Sequence, residues 1–363
     1  VDSFVLRNPP ERKARKRYRL LQRPTPMKVL TTTLIITLTC SISFGQLPVP
    51  VDSLYTFIKF NSIHRTTADW NKIDKSFKEQ IQNAKSLKDT MNCFITVLGS
   101  LNDVHSQIYL NNQFYGYYPS FDDSVLVWLK PLNDKAISMT NKFHSEIIED
   151  KIGYLRVPSI QIYDPTQINS YAQSLSDIVT ELSSKCKNGF IIDLRLNGGG
   201  NLYPMLSGLS QFLGNQTIGY ETDINDSIIR TWELKNGNFV IGGYQATDIK
   251  TKPKSKLKSI PIVVIIGPVT KSSGSMTAIA FKGRPNTYFI GEPTADGYTT
   301  SNGYFQFAPN LTLNFATNFV ADRNKKVYKT SVQPDLTIYQ GNDFDNLFND
   351  LKIKAAIKWL KEK

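Results

Sequence analysis

Apolar positions fall at helical spacing in the first part of the chain and in strand-like runs after it. Leu54, Phe57, Ile58 and Ile63 form one stripe. Trp70, Ile73, Phe77 and Ile81 form a second, opened by Asp69 as an N-cap. Ser86 can cap a third helix with Leu87, Met91, Phe94, Ile95 and Leu98 on its inner side. These stripes predict a small helical N-terminal domain over 46–101, after a short Pro-rich lead-in from Leu47 to Pro50.

Strand signals dominate from there. Ser106–Leu110 alternates, Val125–Leu129 is an apolar run read as a strand, and Gly153–Val157 is a strand stopped by Pro158. Gly189–Leu194 and Ile260–Ile266 are continuous apolar runs, the pattern of a sheet covered on both faces. Tyr288–Ile290 reads as a short strand, and Tyr304–Val320 as β-rich. Ile228–Leu234 and Phe239–Ile241 flank Lys235-Asn236-Gly237-Asn238, a hairpin signal. Helical spacing returns at 168–184, 205–213, 273–281 and 344–360. Strands alternating with helices imply an α/β domain over 102–363.

Charge changes the picture at the N-terminus alone. The chain of 363 residues has a net charge of +12. Residues 1–45 hold nine basic and two acidic groups, so the remainder carries only +5, which calls for no nucleic-acid partner. Met27-Lys28 opens an apolar stretch, Val29–Thr39, that ends in the small residues Ser41-Ile42-Ser43-Phe44-Gly45. That is the layout of an export signal over 27–45, with residues 1–26 foreign to the native protein. The apolar run is too short and too rich in Thr and Ser to span a membrane. Cys40 has a poor lipoprotein context, so an exported, periplasmic or extracellular protein without stable membrane insertion is expected. Cys93 and Cys186 read as buried side chains, although export would permit a disulfide. The three His are scattered and no C-x-x-C pair exists, so no metal site is expected.

Three places could carry chemistry. Asp193-Leu194-Arg195-Leu196-Asn197 runs into Gly198-Gly199-Gly200 at the end of a buried strand, where ligands bind in α/β sheets. The glycines allow positive φ and could present amides to an oxyanion, or could simply make a tight turn. Thr270-Lys271-Ser272-Ser273-Gly274-Ser275 follows the next buried strand. A Ser there suits a nucleophile with helix amides beside it, and equally a helix cap. His105, in Asn102-Asp103-Val104-His105-Ser106, is the better candidate base, with Asp103 and Ser106 placed to orient it; His64 and His144 read as structural.

Together these motifs resemble the tail-specific, or C-terminal processing, serine peptidases. The resemblance runs from about Trp70 to Ile338 and includes Leu101-Asn-Asp-Val-His-Ser, Gly153-Tyr-Leu, Ile192-Asp-Leu-Arg with Asn-Gly-Gly-Gly, Thr-Lys-Ser-Ser-Gly, Ile290-Gly-Glu-Pro-Thr-Ala and Pro334-Asp335. It implies a ClpP/crotonase-like α/β catalytic domain, a polypeptide substrate and no cofactor. Carried over, Ser272 is the nucleophile, and Gly200 and Ser273, with Gly199 nearby, form the oxyanion hole. The loop Ala295–Thr300 has no Lys, so the tricorn-core-like Ser–His branch, with His105 as base, fits better than a Ser–Lys dyad.

Two positions depart from the family pattern. Ser275 stands where Glu is common, and Gln333 where Glu precedes Pro-Asp. Gln333 is thus a candidate relay residue, and Gln333→Glu is expected to raise turnover. Only 47 residues separate His105 from Gly153, too few for a PDZ module. The rival functions are a catalytically weakened peptide- or lipophile-binding protein on the same scaffold and an acyl-CoA enzyme, against which export argues.

The export reading carries its own check. Mature protein isolated from the native host is expected to begin at Gln46, after cleavage behind Gly45. N-terminal sequencing that finds residues 1–26 on exported protein removes it.

Overall fold

Two sheets organise the chain in the computed structural model, which describes residues 50–251 and 255–363. The readings of 1–26 as foreign, of 27–45 as an export signal and of the lead-in before Pro50 lie outside the described residues. The chain opens with α1 (Val51–Asn61), α2 (Trp70–Asn83) and α3 (Leu87–Ser100). Asp69 accepts from the Lys72 amide and Ser86 from the Asp89 amide, as N-caps do. Next come β1 (Gln107–Leu110), β2 (Gln113–Gly116), α4 (Asp123–Ser138), β3 (His144–Ile148), β4 (Ile152–Arg156), α5 (Pro165–Lys185) and β5 (Phe190–Asp193). Short helices α6 (Leu202–Gly208) and α7 (Ser210–Leu213) lead to β6 (Thr217–Thr222), β7 (Ile228–Lys235), β8 (Asn238–Ile241) and β9 (Tyr244–Gln245). The last third holds β10 (Ile262–Ile266), α8 (Ser273–Phe281), β11 (Thr287–Gly291), β12 (Thr300–Ala308), β13 (Leu311–Asp322), β14 (Val327–Tyr328), β15 (Leu336–Thr337) and α9 (Leu351–Lys361).

The first sheet has the order β15-β11-β10-β5-β4-β3 and is parallel except for β3 on β4. Its central strands β4, β5 and β10 are buried throughout because both faces are covered, while the edge strands β3 and β15 are largely exposed. Leu155, Ile192 and Val264 point to α5, α6 and α8, whereas Tyr154, Ile191 and Val263 point to α9. That is the two-residue period of a strand read out in two separate cores.

The second sheet is antiparallel, β2-β1-β13-β6-β7-β8-β9, with β12 and β14 also on β13. The first three helices pack on it: Leu54, Ile58, Phe94 and Leu98 share a core with Ile108, Leu313 and Phe315. The hairpin between β7 and β8 turns through Asn236 and Gly237, both at positive φ, as a type I′ turn requires.

One element differs from the sequence expectation. Val125–Leu129, read as a strand, belongs to the helix α4. A five-residue apolar run does not distinguish strand from helix, and length decides. Here Leu129, Leu132 and Ala136 continue the run at helical spacing and pack toward Leu196 and Val269. The closing helix also starts later than expected, at Leu351, capped by Asp350. Cys93 and Cys186 are buried free thiols in different cores. No helix among the described residues is long and apolar enough to cross a membrane.

Candidate active site

The strands β5 and β10 are neighbours and end side by side, so their following loops meet. Arg195 anchors the first loop. Its guanidinium bonds both carboxylate oxygens of Asp193, at 3.0 and 2.6 Å, and reaches Asp350 at 2.6 Å. All three groups are buried, and the paired charges hold the Asp193 carboxyl below its usual range despite burial.

Beyond this anchor the two loops are laced together. Asn197 accepts the Gly199 amide on its side chain at 3.0 Å and the Lys271 amide on its carbonyl at 3.0 Å. Thr270 Oγ1 donates to the Leu194 carbonyl at 2.9 Å, and Ser273 Oγ to the Gly200 carbonyl at 2.6 Å. Ser275, where the resembled family often has Glu, is buried and donates to the Thr270 carbonyl at 3.2 Å.

Ser272 sits between β10 and α8 at φ 50°, ψ −125°. A non-glycine residue held there stores about 1–3 kcal/mol of strain. It occupies the N-cap position of α8, yet its hydroxyl makes no capping bond. The hydroxyl faces His105 Nε2 at 2.9 Å. Gly199 makes room for it: a β-carbon on Gly199 would stand 2.7 Å from Ser272 Cβ. The Gly198 and Gly199 amides are taken by Ser159 and Asn197, so of the glycines singled out for anion contact, Gly199 supplies space instead.

His105 comes from the other sheet, just before β1. Asp103 accepts the His105 and Ser106 amides and the Ser106 hydroxyl, and Ser106 Oγ in turn accepts the Ala316 amide of β13. These two residues therefore fix the backbone under the imidazole and do not touch its ring. The ring's second nitrogen, Nδ1, meets Thr300 Oγ1 at 2.6 Å.

A chain of bonds sets the tautomer. Asn302 Nδ2 donates to the His105 carbonyl at 3.0 Å, so its Oδ1 faces Thr300 and accepts that hydroxyl at 3.2 Å. The Thr300 oxygen is then the acceptor for Nδ1–H, which leaves the Nε2 lone pair toward Ser272. Burial pushes the His105 pKa down to about 3, so the ring is neutral at pH 7. Tyr298 covers it, ring centroids 5.1 Å apart.

The other sequence candidates lie elsewhere. The exposed His144 bonds Glu146 at 3.2 Å, and His64 bonds neither Ser272 nor His105. Gln333 is exposed, and its side-chain amide donates to Ser331 Oγ at 2.7 Å. Both ring nitrogens of His105 are occupied by Ser272 and Thr300, so the place sought for Gln333 belongs to Thr300. The turnover gain expected of Gln333→Glu does not follow. Thr300 went unnoticed because a lone Thr at a strand start carries no chemical signal. The only pointer was its place at the end of the loop searched for a Lys.

Comparison with known proteins gives the family. The model for peptidase family S41 matches residues 151–338. The chain belongs to that family. It is 35% identical over 215 residues to the nisin-resistance protein of Lactococcus lactis subsp. lactis, covering 59% of this chain and 61% of that protein. It is 24% identical over 200 residues to the carboxy-terminal processing protease CtpA of Bacillus subtilis (strain 168), covering 54% and 38%. The chain thus spans under two thirds of each of these relatives. A solved lipoprotein from Streptococcus agalactiae shares the fold at a TM-score of 0.64 and 24% identity, over 86% of this chain and 95% of that one.

The strain in this S41 site is testable without any substrate. Glycine adopts positive φ freely, and alanine does not. Ser272→Gly is therefore expected to be more stable than Ser272→Ala by about 1 kcal/mol in urea unfolding, the positive φ adding to the ordinary preference for Gly over Ala at a helix N-cap. Equal stability, or a more stable Ala variant, would show that the backbone at 272 is relaxed.

Proposed function

We propose that this chain is an exported serine-type endopeptidase that hydrolyses peptide bonds through an acyl-enzyme. The observation that carries the reading is the strained Ser272 hydroxyl, which forgoes its helix cap to bond a buried, neutral His105. Ser272 Oγ gives its proton to Nε2 as it attacks the scissile carbonyl carbon. The imidazolium passes that proton to the leaving amine, and a water repeats the sequence on the ester. The oxyanion is assigned to the amides of Gly200 and Ser273. What supports them is their position, with Ser273 opening α8 next to the nucleophile and its hydroxyl holding Gly200. The two curated relatives, by name a resistance protein and a processing protease, fit an extracytoplasmic polypeptide substrate.

A second reading rests on one observation. Nδ1 is backed by a hydroxyl and not by a carboxylate. An imidazolium formed there gains less than in an Asp-backed triad, which suits a peptide-binding protein of weak turnover. A fluorophosphonate probe separates the two. The peptidase reading expects stoichiometric labelling of the intact protein and none of Ser272→Ala, with hydrolysis of an unstructured protein lost in the same variant. No labelling of either protein supports the binding reading.

The pH dependence follows from burial. A base whose pKa is pushed down to about 3 stays unprotonated through the neutral range, so kcat/KM should hold its plateau well below pH 6.5. The same burial lowers stability as pH falls below about 6.5, where the unfolded chain takes a proton that the native site refuses. Thr300→Val strands a buried N–H and is expected to lower kcat about tenfold, within the 1–3 kcal/mol cost of such a group. Thr300→Asp places a carboxylate on Nδ1 and should move the acid limb up by about 1–3 pH units. Profiles that coincide for all three proteins would remove Thr300 from the relay.

A further inference from the structure

Beside Ser272 lies a cleft of about 720 Å³. Tyr118, Phe121, Leu126 and Trp128 form much of its wall, all partly or largely exposed, and Tyr298 joins it to His105. This much apolar surface open to water marks a binding site. Two cations line it, Lys130, which pairs with Asp134 at 2.6 Å, and Lys271. Lys271 immediately precedes Ser272, and its ammonium lies 5.5 Å from the centre of the Tyr298 ring.

That lysine lacks the usual partner. Among the described residues no carboxylate stands within 4.0 Å of its Nζ, although Asp296 also lines the cleft. Burial of the side chain lowers its pKa, so the ammonium loses hydration without gaining an anion in return. Its backbone is fixed on both sides, by the Asn197 carbonyl and by the Gly274 amide. The charged head sits over the Tyr298 ring, which joins the cleft to His105.

We propose that Lys271 is a specificity-determining residue that reads a carboxylate on the polypeptide bound in this cleft. The carboxylate is an Asp or Glu side chain or a free C-terminus, within about two residues of the bond presented to Ser272, since an extended chain rises about 3.3 Å per residue. The apolar wall takes the neighbouring side chains, and the ammonium selects the charge. This rests on the reading of the site as one that binds polypeptides.

The test separates recognition from turnover. Fluorescent peptides are prepared in four forms, with Glu or Gln near the centre and with a free or amidated C-terminus. Their binding is measured by anisotropy to Ser272→Ala and to Ser272→Ala combined with Lys271→Met or Lys271→Gln. At least one acidic form should bind Ser272→Ala fivefold or more tightly than its neutral counterpart, and which pair differs identifies the source of the carboxylate. In both Lys271 variants that ratio should fall to about one. Equal binding of all four forms to Ser272→Ala, no binding of any, or a preference that survives both substitutions overturns the proposal. If one Lys271 variant fails to fold, the other decides. Fluorophosphonate labelling of the wild type is run in parallel: labelling without acid preference sinks this proposal alone, and acid preference without labelling sinks only the peptidase reading.

Discussion

The bond between His105 Nε2 and Ser272 Oγ crosses the seam between two sheets, and the rest of the site depends on that seam staying closed. Ser272 is positioned by the parallel sheet, through β10 and the loop laced to Asn197 and Gly200. His105 is positioned by the antiparallel sheet, through Asp103, Ser106 and the Ala316 amide. A hydrogen bond of 2.9 Å tolerates little relative motion before it is lost. The sheets therefore have to be locked as rigid bodies. Val320 of β13 and Trp232 of β7 enter the core that holds Val264 and Ile279, and Arg323 donates to the Ala280 carbonyl of α8 at 2.8 Å.

Chemistry on this scaffold is organised around neutrality. Each group on the imidazole is uncharged: a serine hydroxyl, a threonine hydroxyl and, behind that, an amide. The full charges nearby serve other ends. Asp103 spends its carboxylate on backbone amides, and Arg195 with Asp193 and Asp350 ties the glycine loop to the start of α9. A buried ionic anchor of this kind fixes geometry rather than adding much net stability.

Much of this was legible in the sequence, and the reasons are local. Buried strands that stop in small residues give away the glycine loop and Ser272, because a covered strand needs a continuous apolar run and its end needs glycines. The helix caps at Asp69 and Ser86 were readable for the same reason: a side-chain oxygen three residues from an amide is a short-range event. What escaped depends on distant packing. Thr300 is 195 positions from His105, and only the pairing of β1 and β12 with β13 brings them together. Gln333 drew attention through its neighbours Pro334 and Asp335, yet its side chain turns outward to Ser331. The helix α4 escaped because its buried positions, such as Ala136, lie past the apolar run that suggested a strand.

The order in which the chain leaves the ribosome gives the seam a temporal meaning. His105 is synthesised 167 positions before Ser272 and 195 before Thr300. Contacts so far apart along the chain close late, once the intervening strands have paired. Until β12 and β13 dock, the imidazole has neither its backing hydroxyl nor its dry surroundings, and the serine is one hydroxyl among many. The nascent chain is in effect its own safety catch: the arrangement of Ser272, His105 and Thr300 exists only in the finished fold, so a partly made molecule presents none of it.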